Sequence, residues 1–143
     1  MSRLLVDTNV VLDLLAKREP FYDSAAKLFS LADRKKIALS ISSLTFANTS
    51  YVLTKLKTAD KSREILRRFR VLVKVLSIDD KVIDLALNDL SFKDVEDGLQ
   101  YYSALENGQE MIITRDLSDF KGSRIPVMTP EEYLISVGLK ASG

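Results

Sequence analysis

Residues 4–15 read "LLVDTNVVLDLL", and this stretch decides the fold class. The apolar run 4–6 is typical of a buried strand, and the apolar spacing that closes the stretch is typical of a helix. Between the two stand Asp7, Thr8 and Asn9. A buried strand that passes at once into a helix predicts the opening of an α/β fold, with a carboxylate at the carboxyl end of the first strand.

The same alternation of short apolar runs and longer helical patterns continues along the chain. It predicts a single domain over residues 1–143, a three-layer α/β/α sandwich with a mainly parallel central sheet. No internal repeat and no linker rich in Gly or Pro divides the sequence. The predicted strands are 4–6, 37–41, 72–76, 111–114 and 126–128, and the predicted helices are 10–16, 22–34, 44–57, 61–69, 80–90, 95–107 and 131–136.

The chain contains neither cysteine nor histidine. This composition excludes disulfides, thiol nucleophiles, thiolate zinc sites and the imidazole that most often acts as a base near neutral pH. A metal held by this chain would be bound through oxygen, which favours Mg2+ or Mn2+. The sequence also lacks any apolar run near the ~18 residues of a membrane span. We therefore expect a cytoplasmic protein that does not enter a membrane.

The formal net charge is only +1, but the basic residues are clustered. Residues 55–74 contain eight Lys or Arg against Asp60 and Glu64, a local charge of +6 that leaves −5 on the rest of the chain. Clustered cations can bind a nucleic-acid backbone by displacing its counterions. The alternative is a solvated helix face on which Glu64 pairs with Arg67 or Arg68 at helical spacing. The sequence leaves both interpretations open.

Polar and mostly acidic residues follow the predicted strands, at the edge where open parallel sheets bind ligands. Asp7 ends the first strand, Asp97 opens the helix that crosses back over the sheet, and Asp116 follows the fourth strand. Carboxylates brought to one edge repel one another unless a divalent cation neutralises them. With no histidine or cysteine, the expected chemistry is attack of metal-activated water on a phosphodiester. Other polar residues at these strand ends are Thr8, Asn9, Ser42, Ser43, Asn48, Asp94, Glu96, Thr114, Arg115 and Asp119.

Each of these polar residues has a structural alternative, as a helix cap or an exposed turn residue. Asp7 is the hardest to explain in this way. Burying an isolated carboxylate costs several kcal/mol unless it is paired or bound to a metal. The alternative capping residues are Asp94 or Asp97 for the sixth predicted helix, Thr8 or Asn9 for the first, and Asp116 for a short turn that ends at Phe120.

These segments resemble the PIN domain, a family that includes the toxins of VapBC-type toxin–antitoxin modules and other nucleases. The stretch "LLVDTNVVLDLL" looks like its opening strand, and "VEDGLQYYSALENGQEMIITRDLSDF" looks like its second half. The resemblance covers nearly the whole chain. It implies catalytic roles for Asp7, Asp97 and Asp116, which with Asp119 would also bind the metal. The residues that would support this site are Thr8, Asn9, Asn48, Glu96 and Thr114.

One position departs from the family pattern. The family usually carries a glutamate in the helix after the second strand, and Asn48 in "ISSLTFANTSYVLTK" aligns with it. An amide oxygen is a neutral ligand, so the site loses one negative charge and is expected to bind its metal more weakly. Glu96 is a candidate substitute acid. Arg115, beside Asp116 at the predicted cleft, is a candidate contact to nucleic acid.

The resemblance implies a ribonuclease that depends on Mg2+ or Mn2+, forms a homodimer and is inhibited by a cognate antitoxin. Its partners would be RNA, the antitoxin and a second copy of the chain. A PIN-like module that binds RNA or a protein without cutting remains an alternative, because of Asn48. Phosphotransfer through an aspartyl nucleophile is disfavoured, because Asn9 stands where a second aspartate would be needed and no lysine follows a late strand.

Overall fold

Five short strands form one sheet in the computed structural model, which describes residues 1–138. The strands are β1 (Arg3–Val6), β2 (Ala38–Ser42), β3 (Val73–Leu76), β4 (Met111–Ile113) and β5 (Val127–Met128). Their order across the sheet is β3-β2-β1-β4-β5, and each neighbouring pair is parallel. This arrangement confirms the predicted parallel sheet.

Helices fill the intervals between the strands, as the apolar spacing predicts. Each predicted element is present, with ends that differ from the prediction by no more than two residues. The helices of the described residues are α1 (Thr8–Leu15), α2 (Tyr22–Asp33), α3 (Ser43–Leu56), α4 (Ala59–Arg70), α5 (Asp80–Asn88), α6 (Val95–Glu106) and α7 (Pro130–Ser136), with a short 3-10 helix, η1, at Leu117–Phe120.

Side chains alternate between the two faces of β1, and each face has its own apolar core. Leu4 and Val6 pack in the core formed with α1, α2 and α7. Leu5 points to the other face, where it packs with Tyr101 of α6 and Phe120 of η1. Leu4, Leu5 and Val6 are each at most 1% exposed. Helices therefore cover both faces of the sheet, which confirms the three-layer architecture.

The chain changes its direction of travel across the sheet at β1. It moves from β1 through β2 to β3, and the connection through α5 and α6 then returns it to the other side of β1 as β4. In such sheets the ligand cleft lies at the carboxyl ends of the strands on either side of the reversal. The N–H of Asp7 donates to the Ile113 carbonyl at 2.9 Å, which holds the ends of β1 and β4 together. Asp7 and Thr114 thus lie side by side at this cleft.

The longest described helix, α3, has 14 residues. A helix needs roughly 20 apolar residues to cross a bilayer. Within residues 1–138 no helix is long and apolar enough to do so. The assignment of residues 1–143 to one domain stays a prediction, and residues 139–143 lie outside the described part of the chain.

Candidate active site

Asp7 is the central acid of the cleft and is only 9% exposed. Its Oδ1 accepts hydrogen bonds from the Thr8 N–H at 2.7 Å and from Gln100 Nε2 at 3.2 Å. Its Oδ2 accepts a hydrogen bond from Thr114 Oγ1 at 2.8 Å. Burial raises the pKa of Asp7 above the ordinary aspartate value, although these three hydrogen bonds oppose the shift. All three donors are neutral, so the buried charge is hydrogen-bonded but not neutralised by them.

Asp7 is also the N-cap of α1, through its contact with the Thr8 N–H. The helix therefore begins at Thr8, two residues before the predicted start. The alternative in which Thr8 or Asn9 caps this helix is wrong. Instead, Thr8 Oγ1 makes a hydrogen bond with Thr45 Oγ1 at 2.8 Å, which links α1 to α3.

Gln100 is a functional candidate that the sequence analysis missed. This α6 side chain is 1% exposed. Its Nε2 donates to Asp7 and, at 2.6 Å, to Thr45 Oγ1, while its Oε1 accepts a hydrogen bond from Ser42 Oγ at 2.5 Å. Partners at both ends of the carboxamide fix its orientation and therefore the direction of its N–H toward Asp7. The available signal was a polar side chain three positions after Asp97, on the helix face that turns toward the sheet.

Asp97 lies in the first turn of α6 but does not cap the helix. The cap is Asp94, whose carboxylate accepts a hydrogen bond from the Glu96 N–H at 2.9 Å. The capping alternative is thus confirmed for Asp94 and wrong for Asp97. Partial burial raises the pKa of Asp97 to about 7, and the negative charges of Asp119, Asp7, Asp94 and Glu96 add to the shift. A carboxyl crowded by like charges is typical of sites that use the unusual pKa.

Asp116 lies on the exposed side of the cleft, after β4. Asn9 Nδ2 donates to Asp116 Oδ2 at 3.1 Å and to Thr114 Oγ1 at 3.4 Å. Asp116 stands at the N-cap position of η1, as the structural alternative predicts, but its side chain makes no capping hydrogen bond. Besides burial, the negative charge of Asp116 contributes to the raised pKa of Asp7. Asp119, within η1, is exposed.

Asn48 is joined to Glu96. The Asn48 Nδ2 donates to Glu96 Oε1 at 3.0 Å, although the two residues are 48 positions apart. Asn48 is half-buried and Glu96 is exposed. The hydrogen bond therefore brings a carboxylate next to the position where Asn48 itself supplies only an amide.

Arg115, the predicted contact to nucleic acid, has a guanidinium that is already engaged. Its Nε and Nη2 donate to Asp13 Oδ2 and Oδ1 at 2.6 and 3.2 Å, and it lies 3.8 Å from the centre of the Phe21 ring. Asp13 is only 1% exposed. No local pattern indicates this pair, because Asp13 stands inside an apolar helical pattern 102 residues from its partner. The role of Arg115 at a phosphate stays a prediction.

The donor chemistry of the cleft fits a hard cation. The available side-chain donors are carboxylate, amide and hydroxyl oxygens, and crowded carboxylates are the charge pattern that a cation relieves. However, among residues 1–138 no group of three or more His, Cys, Asp or Glu side chains is arranged so that it could hold a metal ion. The structure therefore does not show a convergence of three acids on one ion. The assignment of Asp7, Asp97, Asp116 and Asp119 as metal ligands stays a prediction.

Known proteins share the sequence pattern and the fold of this chain. A family model described as "PIN domain" matches residues 3–118. The chain belongs to the PIN domain family. This confirms the resemblance of its two acidic segments to that family. The chain is also 29% identical over 135 residues to Ribonuclease VapC1 of Aquifex aeolicus, which covers 92% of this chain and 93% of that protein.

Solved structures of VapBC assemblies have the same fold as this PIN domain. A chain of DNA-bound VapBC from Salmonella typhimurium superposes with a TM-score of 0.70 at 19% identity, covering 91% of this chain and 99% of that one. A chain of VapBC2 from Rickettsia felis, bound to a DNA fragment from its promoter, gives a TM-score of 0.67 at 19% identity, covering 88% and 96%. At such identities the likeness shows the fold alone.

Proposed function

We propose that this PIN domain is a ribonuclease that hydrolyses RNA phosphodiesters with water activated by Mg2+ or Mn2+. The observation that carries the proposal is the charge of the cleft. Asp7 is buried with only neutral donors around it, and partial burial together with the charges of the neighbouring acids raises the pKa of Asp97 to about 7. The relative from Aquifex aeolicus is named a ribonuclease, which favours RNA as the substrate.

In this proposal Asp7, Asp97 and Asp116 hold the cation, with Asp119 as a further ligand. The bound cation would act as a Lewis acid and lower the pKa of a water molecule that attacks the phosphorus. The neighbouring side chains position the ligands. Gln100 and Thr114 fix the two oxygens of Asp7, and Asn9 directs a carboxylate oxygen of Asp116.

The protonation of Asp97 is expected to affect how tightly the cation binds. In the ion-free protein, a carboxyl with a pKa of about 7 is partly protonated at neutral pH. A cation that binds Asp97 must displace that proton, so binding is expected to tighten as the pH rises. The protonated Asp97 carboxyl would release this proton to solvent and become a carboxylate.

The proposal extends to partners and location. Structural neighbours include a chain of a toxin–antitoxin complex from Klebsiella pneumoniae, with a TM-score of 0.66 at 21% identity. We therefore assign this chain the role of a toxin in such a pair, with a cognate antitoxin and a second copy of itself as protein partners. Because the proposed substrate is RNA within the cell, we also propose that the protein acts in the cytoplasm.

A second candidate function is a PIN module that binds RNA or a protein without cutting. It is favoured by the contact between Asn48 and Glu96, in which an amide occupies a position that usually carries an acid and holds the nearest acid in a hydrogen bond. In this interpretation the cleft would keep its shape and its charge but would not complete a catalytic site.

The two functions are separated by incubating the purified protein and a generic single-stranded RNA with Mn2+. We expect cleavage that EDTA abolishes and that the Asp97→Asn variant lacks. Asp94→Asn is the matched control, since it removes the same charge from the same turn while asparagine still caps α6. RNA that stays intact with Mn2+ but is retained by the protein would favour the second function.

A further inference from the structure

A groove of about 420 Å³ lies between α3 and α4, away from the acidic cleft. On the α3 side it is lined by Phe46, Ser50 and Thr54, and the spacing of four residues places them on one face of that helix. On the α4 side Leu66 joins Phe46 to form an apolar floor. We call this feature the α3–α4 groove.

The rim of the α3–α4 groove is basic. Arg63, Arg67 and Arg70 line it and are exposed, at positions that share one face of α4. Among the described residues, neither Arg63 nor Arg67 forms a salt bridge, and Arg70 uses its Nη1 for the Val73 carbonyl at 2.9 Å. The ion pair expected between Glu64 and either Arg67 or Arg68 is present, and it forms with Arg68 at 2.7 Å. Three guanidinium groups on the groove are thus not neutralised by acids of residues 1–138.

A buried hydroxyl also lines the groove. Ser62 is 2% exposed, and its Oγ makes no hydrogen bond with any atom of the described residues. Buried polar groups are nearly always hydrogen-bonded, so an unpaired one calls for a partner that the protein itself does not supply. An anionic oxygen that enters the groove beneath the arginines would accept this hydrogen bond.

We propose that the α3–α4 groove binds the sugar-phosphate backbone of RNA, as a second contact surface for the substrate of the proposed ribonuclease. Arginines on a rim, hydroxyls in the wall and an aromatic ring in the floor are the features that bind single-stranded nucleic acid. Without a cation the acidic cleft repels the same backbone, so the attraction of the ion-free protein for RNA must come from another surface. The proposal rests on the proposed ribonuclease function.

The position of the groove sets the length of RNA that uses it. Asn48, at the cleft, and Ser50, in the groove, are two residues apart and therefore lie on nearly opposite sides of α3. A helix with its side chains is about 10 Å across. A strand must pass around this helix to occupy both places. A trinucleotide confined to the cleft would not reach the arginines, whereas a 20-nucleotide strand would.

The test measures RNA binding to the Arg63→Gln/Arg67→Gln double variant in EDTA, with a 20-nucleotide single-stranded RNA at several salt concentrations. Loss of two phosphate contacts is expected to lower the slope of log affinity against log salt by about 1.4, with a fall in affinity on the order of tenfold at low salt. The Arg68→Gln variant is the matched control, because Arg68 lies outside the groove and is paired with Glu64.

Thr54→Glu provides an independent variant, since it brings a negative charge to the groove without altering an arginine. It is expected to weaken binding of the 20-nucleotide RNA, and melting temperatures check that both variants fold. Equal slopes and affinities in the wild type and the double variant would overturn the proposal. Loss of binding to a polyglutamate peptide, with RNA binding retained, would also overturn it and assign the groove to an acidic protein segment. Cleavage by the wild type, followed in parallel, reports on the ribonuclease proposal separately.

Discussion

Asp13 and Arg115 form a bidentate ion pair across the cleft, with donor–acceptor distances of 2.6 and 3.2 Å. The pair joins α1 to the segment after β4, and the Arg115 N–H also approaches Asn9 Oδ1 at 3.4 Å. Since Asp116 is the next residue, the pair fixes the backbone that carries one of the proposed ligands. Arg115 therefore acts on the site through position.

The ion pair between Asp13 and Arg115 is expected to stabilise the fold. Arg115→Ala leaves the Asp13 carboxylate buried without a partner and is expected to destabilise the protein by about 3–5 kcal/mol. Urea unfolding measures this loss. Arg68→Ala, which breaks an exposed pair, is the control and is expected to cost no more than about 1 kcal/mol. A loss at Arg115 as small as that at Arg68 would contradict a structural role and restore Arg115 as a free contact for phosphate.

Asp7→Asn is expected to abolish RNA cleavage while the fold stays intact or becomes slightly more stable. The substitution removes a buried charge, yet the remaining amide oxygen can still accept the hydrogen bonds from Thr8 and Gln100. The new amide N–H can donate to Thr114 Oγ1, which now accepts. Melting temperature and RNA cleavage measure the two effects. A variant that fails to fold would show that Asp7 serves structure before chemistry.

The stability of the ion-free protein is expected to fall as the pH rises from about 4 to above 7 through the contribution of Asp97. The pKa of Asp97 is raised to about 7 in the folded state from the ordinary aspartate value of 3.8, so the folded state binds more protons in this interval. The stabilisation that the Asp97 carboxyl contributes is complete below pH 4 and is lost as the pH rises past 7. Asp97→Asn should therefore show a flatter pH profile than the wild type in chemical unfolding with EDTA. Parallel profiles for the two proteins would mean that the carboxyl is not perturbed.

Asn48→Glu is expected to raise the affinity for Mn2+ or Mg2+ and to lower the melting temperature without metal. The change replaces a hydrogen bond to Glu96, now 3.0 Å long, with repulsion between two carboxylates. Saturating metal should recover the lost stability by mass action. Metal titrations that follow melting temperature and cleavage test both effects. Identical metal dependence in the two proteins would place residue 48 outside the site.

Local sequence patterns were sufficient to predict the helices and strands, and to predict the edge of the sheet at which polar residues gather. Strand and helix periods depend on neighbours in sequence, and parallel topology sends the ends of β1 and β4 to the same edge. The roles of Gln100 and Asp13 were not predicted, because they depend on partners in other elements. Each is a buried polar residue within a helix, and only the tertiary structure identifies what satisfies it.

The central position of β1 has a consequence for synthesis. Asp7 emerges from the ribosome well before Thr114, whose hydroxyl holds it and which comes 107 residues later. Until β4 is made, one side of β1 has no neighbouring strand and the cleft has only one wall. A nascent chain therefore cannot carry a finished site, and the site forms only when the long-range pairing of the sheet is complete. If the proposed activity is correct, the nascent chain cannot cleave RNA until β4 and Thr114 have been translated.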